Sequence, residues 1–132
     1  MSLNHQCLIC LGSNCDAAVH LADALESISG RLRVVWCGNP VRTPDVCRRP
    51  AVSDFLNQAL LVECQEDVVS LNALLKSIER ENGRTPDSKR SGIVPLDIDL
   101  LTCDGTVLKP EEMVKRHVVE ATRGLEDALA KG

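Results

Sequence analysis

An α+β fold is expected for this 132-residue chain, with one antiparallel sheet and both long helices on one of its faces. Three observations predict it. The elements read in the order β-α-β-β-α-β, two segments carry apolar residues at three- and four-residue spacing, and most connections are short. That order is the ferredoxin-like one, which leaves the second face of the sheet free for ligands.

Residues 7–12 form an apolar strand ending at Gly12-Ser13-Asn14. Asp16 is placed to cap a helix in which Ala18, Leu21, Ala22, Leu25 and Ile28 recur on one face, closing near Gly30. Leu32 to Cys37 is a β-branched strand, followed by a long loop over 38–53 that carries Thr43-Pro44 and Arg48-Arg49-Pro50. Phe55 to Val62 is the next strand. Asp67 opens a second helix with Val68, Leu71, Leu74, Leu75 and Ile78 on one face, stopping at Asn82-Gly83. Residues 84–93 read as a polar, basic loop, and the strand Val94 to Leu101 follows. Asp104-Gly105 turns into a short strand at 106–108, and the tail from about 113 to 130 has weak helical character. No repeat or linker divides the chain, so 1–132 is expected to be one domain.

Composition excludes several classes. The chain is 44% hydrophobic and 26% charged, as in ordinary globular proteins. Its net charge of −4, with one Trp, one Phe and no Tyr, gives no footprint for nucleic acid. No apolar run approaches the ~20 residues of a membrane span, and no secretory signal is visible. Seven cysteines include Cys7-x-x-Cys10, a spacing used for zinc or redox chemistry. Residues three apart on a strand face opposite sides, however, and the odd total argues against a full disulfide framework. Free, mostly buried thiols in a reducing cytoplasm are expected.

The segment Val94-Pro95-Leu96-Asp97-Ile98-Asp99-Leu100-Leu101 carries the most chemistry. On a strand, Asp97 and Asp99 share one face, with Cα atoms about 6–7 Å apart. Two carboxylates at that distance suit divalent cations, and magnesium favours one or two carboxylates plus phosphate oxygens. A solvated acidic face is the plain alternative. Upstream, Lys76, Arg80, Arg84, Lys89 and Arg90 set cations before the paired acids, as a polyphosphate substrate requires. A surface loop would look the same. Asn57 in an apolar strand offers donor and acceptor to a heterocycle edge, and Phe55 on the same face could stack on that ring. A solvated amide is the alternative there, and an exposed side chain is the alternative for His117.

In order along the chain stand Leu11-Gly12-Ser13-Asn14, Arg42-Thr43-Pro44, Phe55-Leu56-Asn57-Gln58-Ala59, Ile78-Glu79, Gly83-Arg84, Pro95-Leu96-Asp97-Ile98-Asp99-Leu100-Leu101, and His117 to Arg123-Gly124. This ordered set resembles the 6-hydroxymethyl-7,8-dihydropterin pyrophosphokinases of folate biosynthesis. The resemblance implies a ferredoxin-like core that binds MgATP and a reduced pterin, transfers a pyrophosphoryl group to the pterin hydroxymethyl oxygen and releases AMP. It implies that Asp97 and Asp99 hold two Mg²⁺ ions, and that Thr43, Pro44, Phe55 and Asn57 line the pterin pocket. Leu125 would replace the usual aromatic on the other face of the ring. Glu79, Arg84, Arg90, Ile98, His117 and Arg123 would approach ATP, with Arg84 and Arg90 catalytic beside the two aspartates. The loops at 38–53 and 84–94 would act as lids.

Four departures accompany the likeness. Val94 stands where the family has an Arg, Pro86 where a second Arg is usual, and Ser91 where a Trp commonly follows the loop Arg. The chain also ends at Gly132, some 25–35 residues earlier than the family usually does. Losing one charge-assisted phosphate contact costs ~1.5–3 kcal/mol. The expectation is therefore a cytoplasmic pyrophosphokinase with a thinned phosphate clamp, monomeric or weakly dimeric, binding small molecules rather than nucleic acid or membrane. The alternative is a degenerate relative that binds pterin or nucleotide without turnover.

Overall fold

The computed structural model describes residues 4–44 and 53–131. Cys47, the Arg48-Arg49-Pro50 segment and the side chain of Lys89 lie outside the described residues. The long strands are β1 (His5–Ser13), β2 (Arg33–Cys37), β4 (Phe55–Cys64) and β5 (Asp97–Cys103), with two short ones, β3 (Val41–Thr43) and β6 (Thr106–Val107). They form one antiparallel sheet in the order β2-β4-β1-β5-β6, and β3 extends the β4 edge. The helices are α1 (Ala17–Ser29), α2 (Val68–Glu81), α3 (Pro86–Ser91), α4 (Pro110–Met113), α5 (Arg116–Ala121) and α6 (Leu125–Lys131). None of the described helices is long and apolar enough to cross a membrane.

Alternation along the strands divides the core in two. Cys7, Ile9 and Leu11 of β1, Leu60 and Val62 of β4, and Ile98 and Leu100 of β5 face the apolar stripes of α1 and α2. There they meet Leu21, Ala24 and Ile28 from α1, and Leu71, Leu75 and Ile78 from α2. Each fully buried side chain of this kind contributes ~1.5–3 kcal/mol. This is the α+β, helices-on-one-face arrangement that the sequence predicts. The opposite faces of the same strands carry Leu8 and Cys10, Ala59 and Leu61, and Leu101, on which Val118 and Ala121 of α5 close.

That last contact corrects one expectation. The second face is not free along its length: among the described residues α5 covers its middle, and the end bearing Gly12, Asn57 and Asp97 is open. Residues 84–93 are not all loop either, since Pro86–Ser91 is helical. Pro86 sits in its first turn, the Thr85 N–H donates to Ser88 Oγ at 3.1 Å, and Gly92 ends it at φ 79°. Val41–Thr43, read as loop, pairs with Phe55–Asn57; three residues are too few to display alternation. Asp16 precedes α1 at φ 46° and makes no side-chain cap bond, whereas Asp67 Oδ1 accepts the Ser70 N–H at 2.7 Å as a cap should. The C-terminal segment, weakly helical in the sequence, forms three short helices.

Candidate active site

A single row of residues crosses three strands at the open end. Asn57 on β4 pairs with Gly12 on β1, and Gly12 pairs with Asp97 on β5. The row below runs Ala59, Cys10, Asp99. Gly12 has no side chain to fill the middle of the row: a Cβ there would stand 3.3 Å from Asn57 Oδ1 and 3.8 Å from the Phe55 ring. The result is a cleft of about 370 Å³ with Thr43, Pro44, Phe55 and Asn57 along one wall. Arg84, Asp97 and Asp99 line the other wall, and Lys115 and His117 lie at the mouth.

The Asn57 amide is fixed before any ligand arrives. Its Nδ2 donates to Thr43 Oγ1 at 2.8 Å and to the Val41 carbonyl at 3.2 Å. Asn57 and Thr43 are both buried, so β3 and β4 hold each other's polar groups in place. Phe55, opposite Thr43 in register, presents its ring beside Gly12.

Each aspartate of the pair has its own cationic partner. Arg84 Nη1 donates to Asp97 Oδ1 at 2.7 Å and to the Leu96 carbonyl at 3.2 Å. Lys109 Nζ donates to Asp99 Oδ1 at 2.8 Å. Burial, and then the charge of Asp99, push Asp97 up to about 6, although Arg84 pulls against them. Burial would raise Asp99 as well, but the hydrogen bond and charge of Lys109 hold it below the usual carboxylate range. Burial and the neighbouring Asp99 charge thus keep Asp97 reluctant to ionise even with Arg84 beside it. The oxygen donors of the two aspartates fit a hard divalent cation such as Mg²⁺.

Glu79 supports this wall from below. It is only 4% exposed, and its Oε2 accepts the Ile98 N–H at 2.7 Å and Lys76 Nζ at 2.9 Å. Arg84 Nη1 stands 3.8 Å from the same oxygen. Ile98 itself points into the core, leaving its backbone between the two aspartates tied to Glu79 and Lys76. Asn14 fixes the neighbouring segment: its Nδ2 donates to the Gly92 carbonyl at 2.6 Å, and its Oδ1 accepts the Val94 N–H at 2.7 Å. The conspicuous Gly-Ser-Asn sequence thus ties β1 to the chain entering β5.

Of the residues singled out in the sequence, Thr43, Pro44, Phe55, Asn57, Arg84, Asp97, Asp99 and His117 come together in the cleft. Glu79 and Ile98 lie beneath its wall. Three others stand away from it. Arg90 is exposed on α3 and pairs with Asp87. Arg123 and Leu125 line a separate hollow with Leu8 and Met113, and Leu125 packs on the second core cluster. Val94 is on the cleft wall.

Lys109, Glu112 and Lys115 are site residues that sequence reasoning did not find. Lys115 Nζ donates to Glu112 Oε1 at 2.6 Å, and His117, its imidazole pushed down by burial, stands 3.9 Å from Glu112 Oε2. A signal did exist: Lys109 precedes Pro110-Glu111-Glu112, a helix-start pattern that gives that region structure.

A search of the curated proteins found no match. A family model described as 7,8-dihydro-6-hydroxymethylpterin-pyrophosphokinase matches residues 8–126, a span that runs from β1 into α6 and includes every residue of the cleft. With most of its length matched and the paired aspartates on the open end of the sheet, the chain belongs to the 7,8-dihydro-6-hydroxymethylpterin-pyrophosphokinase family.

Proposed function

We propose that this protein transfers a pyrophosphoryl group from MgATP to the hydroxymethyl oxygen of 6-hydroxymethyl-7,8-dihydropterin and releases AMP, a step in folate biosynthesis. Family membership implies pterin pyrophosphokinase activity. The observation that carries the finer reading is the Asn57–Gly12–Asp97 row, a slot for a flat ring that ends at a carboxylate pair. A pterin stacked on Phe55, with its edge against Asn57 and Thr43, would direct its hydroxymethyl arm toward Asp97 and Asp99.

Asp97 and Asp99 would hold two Mg²⁺ ions, which supply charge neutralisation to the phosphates when bound. With the ions held there, Arg84 and Lys109, which contact Asp97 and Asp99 in the metal-free site, would be free to meet phosphate oxygens. The hydroxymethyl oxygen then bonds to the β-phosphorus as the bond to the bridging oxygen of AMP breaks, and the hydroxyl proton passes to water. Such a transfer needs alignment and electrostatic stabilisation rather than a covalent intermediate. His117 and Lys115 at the mouth suit the nucleotide. Arg90, Arg123 and Leu125 reach substrate in this reading only if α3 and the segment around 116–127 move inward on binding, as lids do. The protein is taken to act in the cytoplasm as a monomer or weak homodimer.

One observation favours a second reading. Val94 on the cleft wall and Arg90 turned to solvent leave Arg84 as the guanidinium lining the cleft among the described residues. A non-catalytic binder of pterin or nucleotide would need no more. Incubation with MgATP and 6-hydroxymethyl-7,8-dihydropterin separates the two: AMP release that requires the pterin supports the kinase. Calorimetric binding of pterin or ATP with no AMP would replace it with the binder.

A further inference from the structure

We propose that His5, Cys103 and Asp104 form a second metal site, for one zinc-class cation, at the end of the sheet remote from the cleft. Cys103 lies six residues beyond Asp97 on β5, roughly 20 Å at strand rise, so the site is independent of the kinase reading. Register brings the donors together. His5 and Cys7 lie two apart on β1 and share a face, and Cys7 stands directly opposite Cys103. Asp104 follows Cys103 in the β5–β6 turn, at φ 52° with Gly105 at φ 81°, which returns its carboxylate over β1. There Oδ1 accepts the Gln6 N–H at 2.8 Å, and Oδ2 is 2.6 Å from His5 Nδ1.

One ligand atom each from His5, Cys103 and Asp104 falls within 4.8 Å of the others. Cys7 Sγ donates to Cys103 Sγ at 3.2 Å from the buried side and so orients that sulfur, while a water on the open side would complete a tetrahedral set. A tetrahedral zinc ion, with ligand bonds of about 2.0–2.3 Å, needs donors at this spacing. The chemistry of the set selects the ion: imidazole, one thiolate and a carboxylate together suit zinc. Magnesium calls for oxygen ligands alone, and copper(I) for soft sulfur ligands. The His5 and Asp104 side chains are 36% and 50% exposed, which gives the ion a path in from solvent. Their surface ion pair is weak enough to be exchanged for metal ligation. On binding, Cys103 releases a proton to water and forms a metal–sulfur bond.

The test uses the full chain, kept reduced, with Asp97→Asn/Asp99→Asn to silence the oxygen-ligand cleft. Titration with Co²⁺ should give one equivalent bound with thiolate-to-cobalt charge-transfer absorption, displaced by Zn²⁺. Cys103→Ser should abolish that absorption, and His5→Gln and Asp104→Asn should each weaken binding at least about tenfold, while Cys37→Ser changes nothing. Circular dichroism checks each fold, and exposed His5→Gln keeps the test decisive should Cys103→Ser not fold. The proposal is overturned if the folded, reduced protein gives no charge-transfer band, or if the band survives in His5→Gln and Asp104→Asn with unchanged affinity. A Cys7–Cys103 disulfide formed by peroxide, with no metal uptake by the reduced thiols, would equally overturn it.

Discussion

Lys109 donates to Asp99 Oδ1 at 2.8 Å from the connection between β6 and α4, so a lysine ammonium sits on the carboxylate that the proposed function gives to a metal ion. Both groups are largely shielded from water, which strengthens the pair and makes its exchange part of cation binding. Replacing Lys109 by Met should tighten Mg²⁺ binding in the absence of ATP several-fold by calorimetry. The same change should lower metal-free stability by about 1–2 kcal/mol, because Asp99 loses a charge-assisted hydrogen bond. Unchanged Mg²⁺ affinity would mean that Lys109 and the ion do not compete.

Gly12→Ala should act on the pterin and spare the nucleotide. The added Cβ meets Asn57 Oδ1 at 3.3 Å and the Phe55 ring at 3.8 Å, in the middle of the slot. A tenfold rise in pterin KM, about 1.4 kcal/mol, is expected with little change in the KM for ATP. Equal effects on both substrates would place the pterin elsewhere.

Asp97 gives the metal-free protein a distinctive pH response. Its carboxyl titrates near 3.8 when unfolded and is pushed up to about 6 in the fold. Between those values the folded state holds the extra proton, so this group's contribution to stability falls as pH rises from about 4 to about 6 and stays low above that. Asp97→Asn keeps an acceptor for Arg84 and cannot ionise. In thermal melts without metal, the advantage of the variant over the parent should grow across that window and then level off. Saturating Mg²⁺ should erase the advantage by stabilising only the parent. A melting difference that is flat with pH would remove burial of Asp97 from the explanation.

Glu79 is predicted to be a positioning residue more than a substrate ligand. Glu79→Ala strands the Ile98 N–H and leaves the Lys76 ammonium with the Ile98 carbonyl but no carboxylate, and should cost about 2–3 kcal/mol in urea unfolding. Glu79→Gln keeps an acceptor for Ile98 and should recover part of that loss. If Glu79→Ala folds with parental stability and only ATP binding suffers, the residue belongs to the nucleotide site instead.

Much of this architecture was legible because single residues impose it. The apolar stripes of α1 and α2 define which strand faces they cover, and Asp97 and Asp99 separate from Leu96, Ile98 and Leu100 by alternation alone. The tertiary pairings were not legible. Val41–Thr43 becomes a strand only because Phe55–Asn57 offers it hydrogen bonds. The partial covering of the second face by α5 comes from Val118 and Ala121, whose segment reads as weakly helical but carries no pattern that says which sheet face it packs on. Lys109 reaches Asp99 only through the path of the chain after β6. The reading of Gly-Ser-Asn as a motif was sound, but its physical content, Asn14 clamping Gly92 and Val94, needed the third dimension.

The measurement that bears most directly on the central claim is the product analysis of MgATP with 6-hydroxymethyl-7,8-dihydropterin, parent beside Asp97→Asn/Asp99→Asn. AMP and the pyrophosphorylated pterin should form in equal amounts with the parent, and neither should form with the variant while its melting curve still reports a folded protein. No product from the folded parent, or equal product from both proteins, would contradict pyrophosphoryl transfer at the Asp97–Asp99 pair.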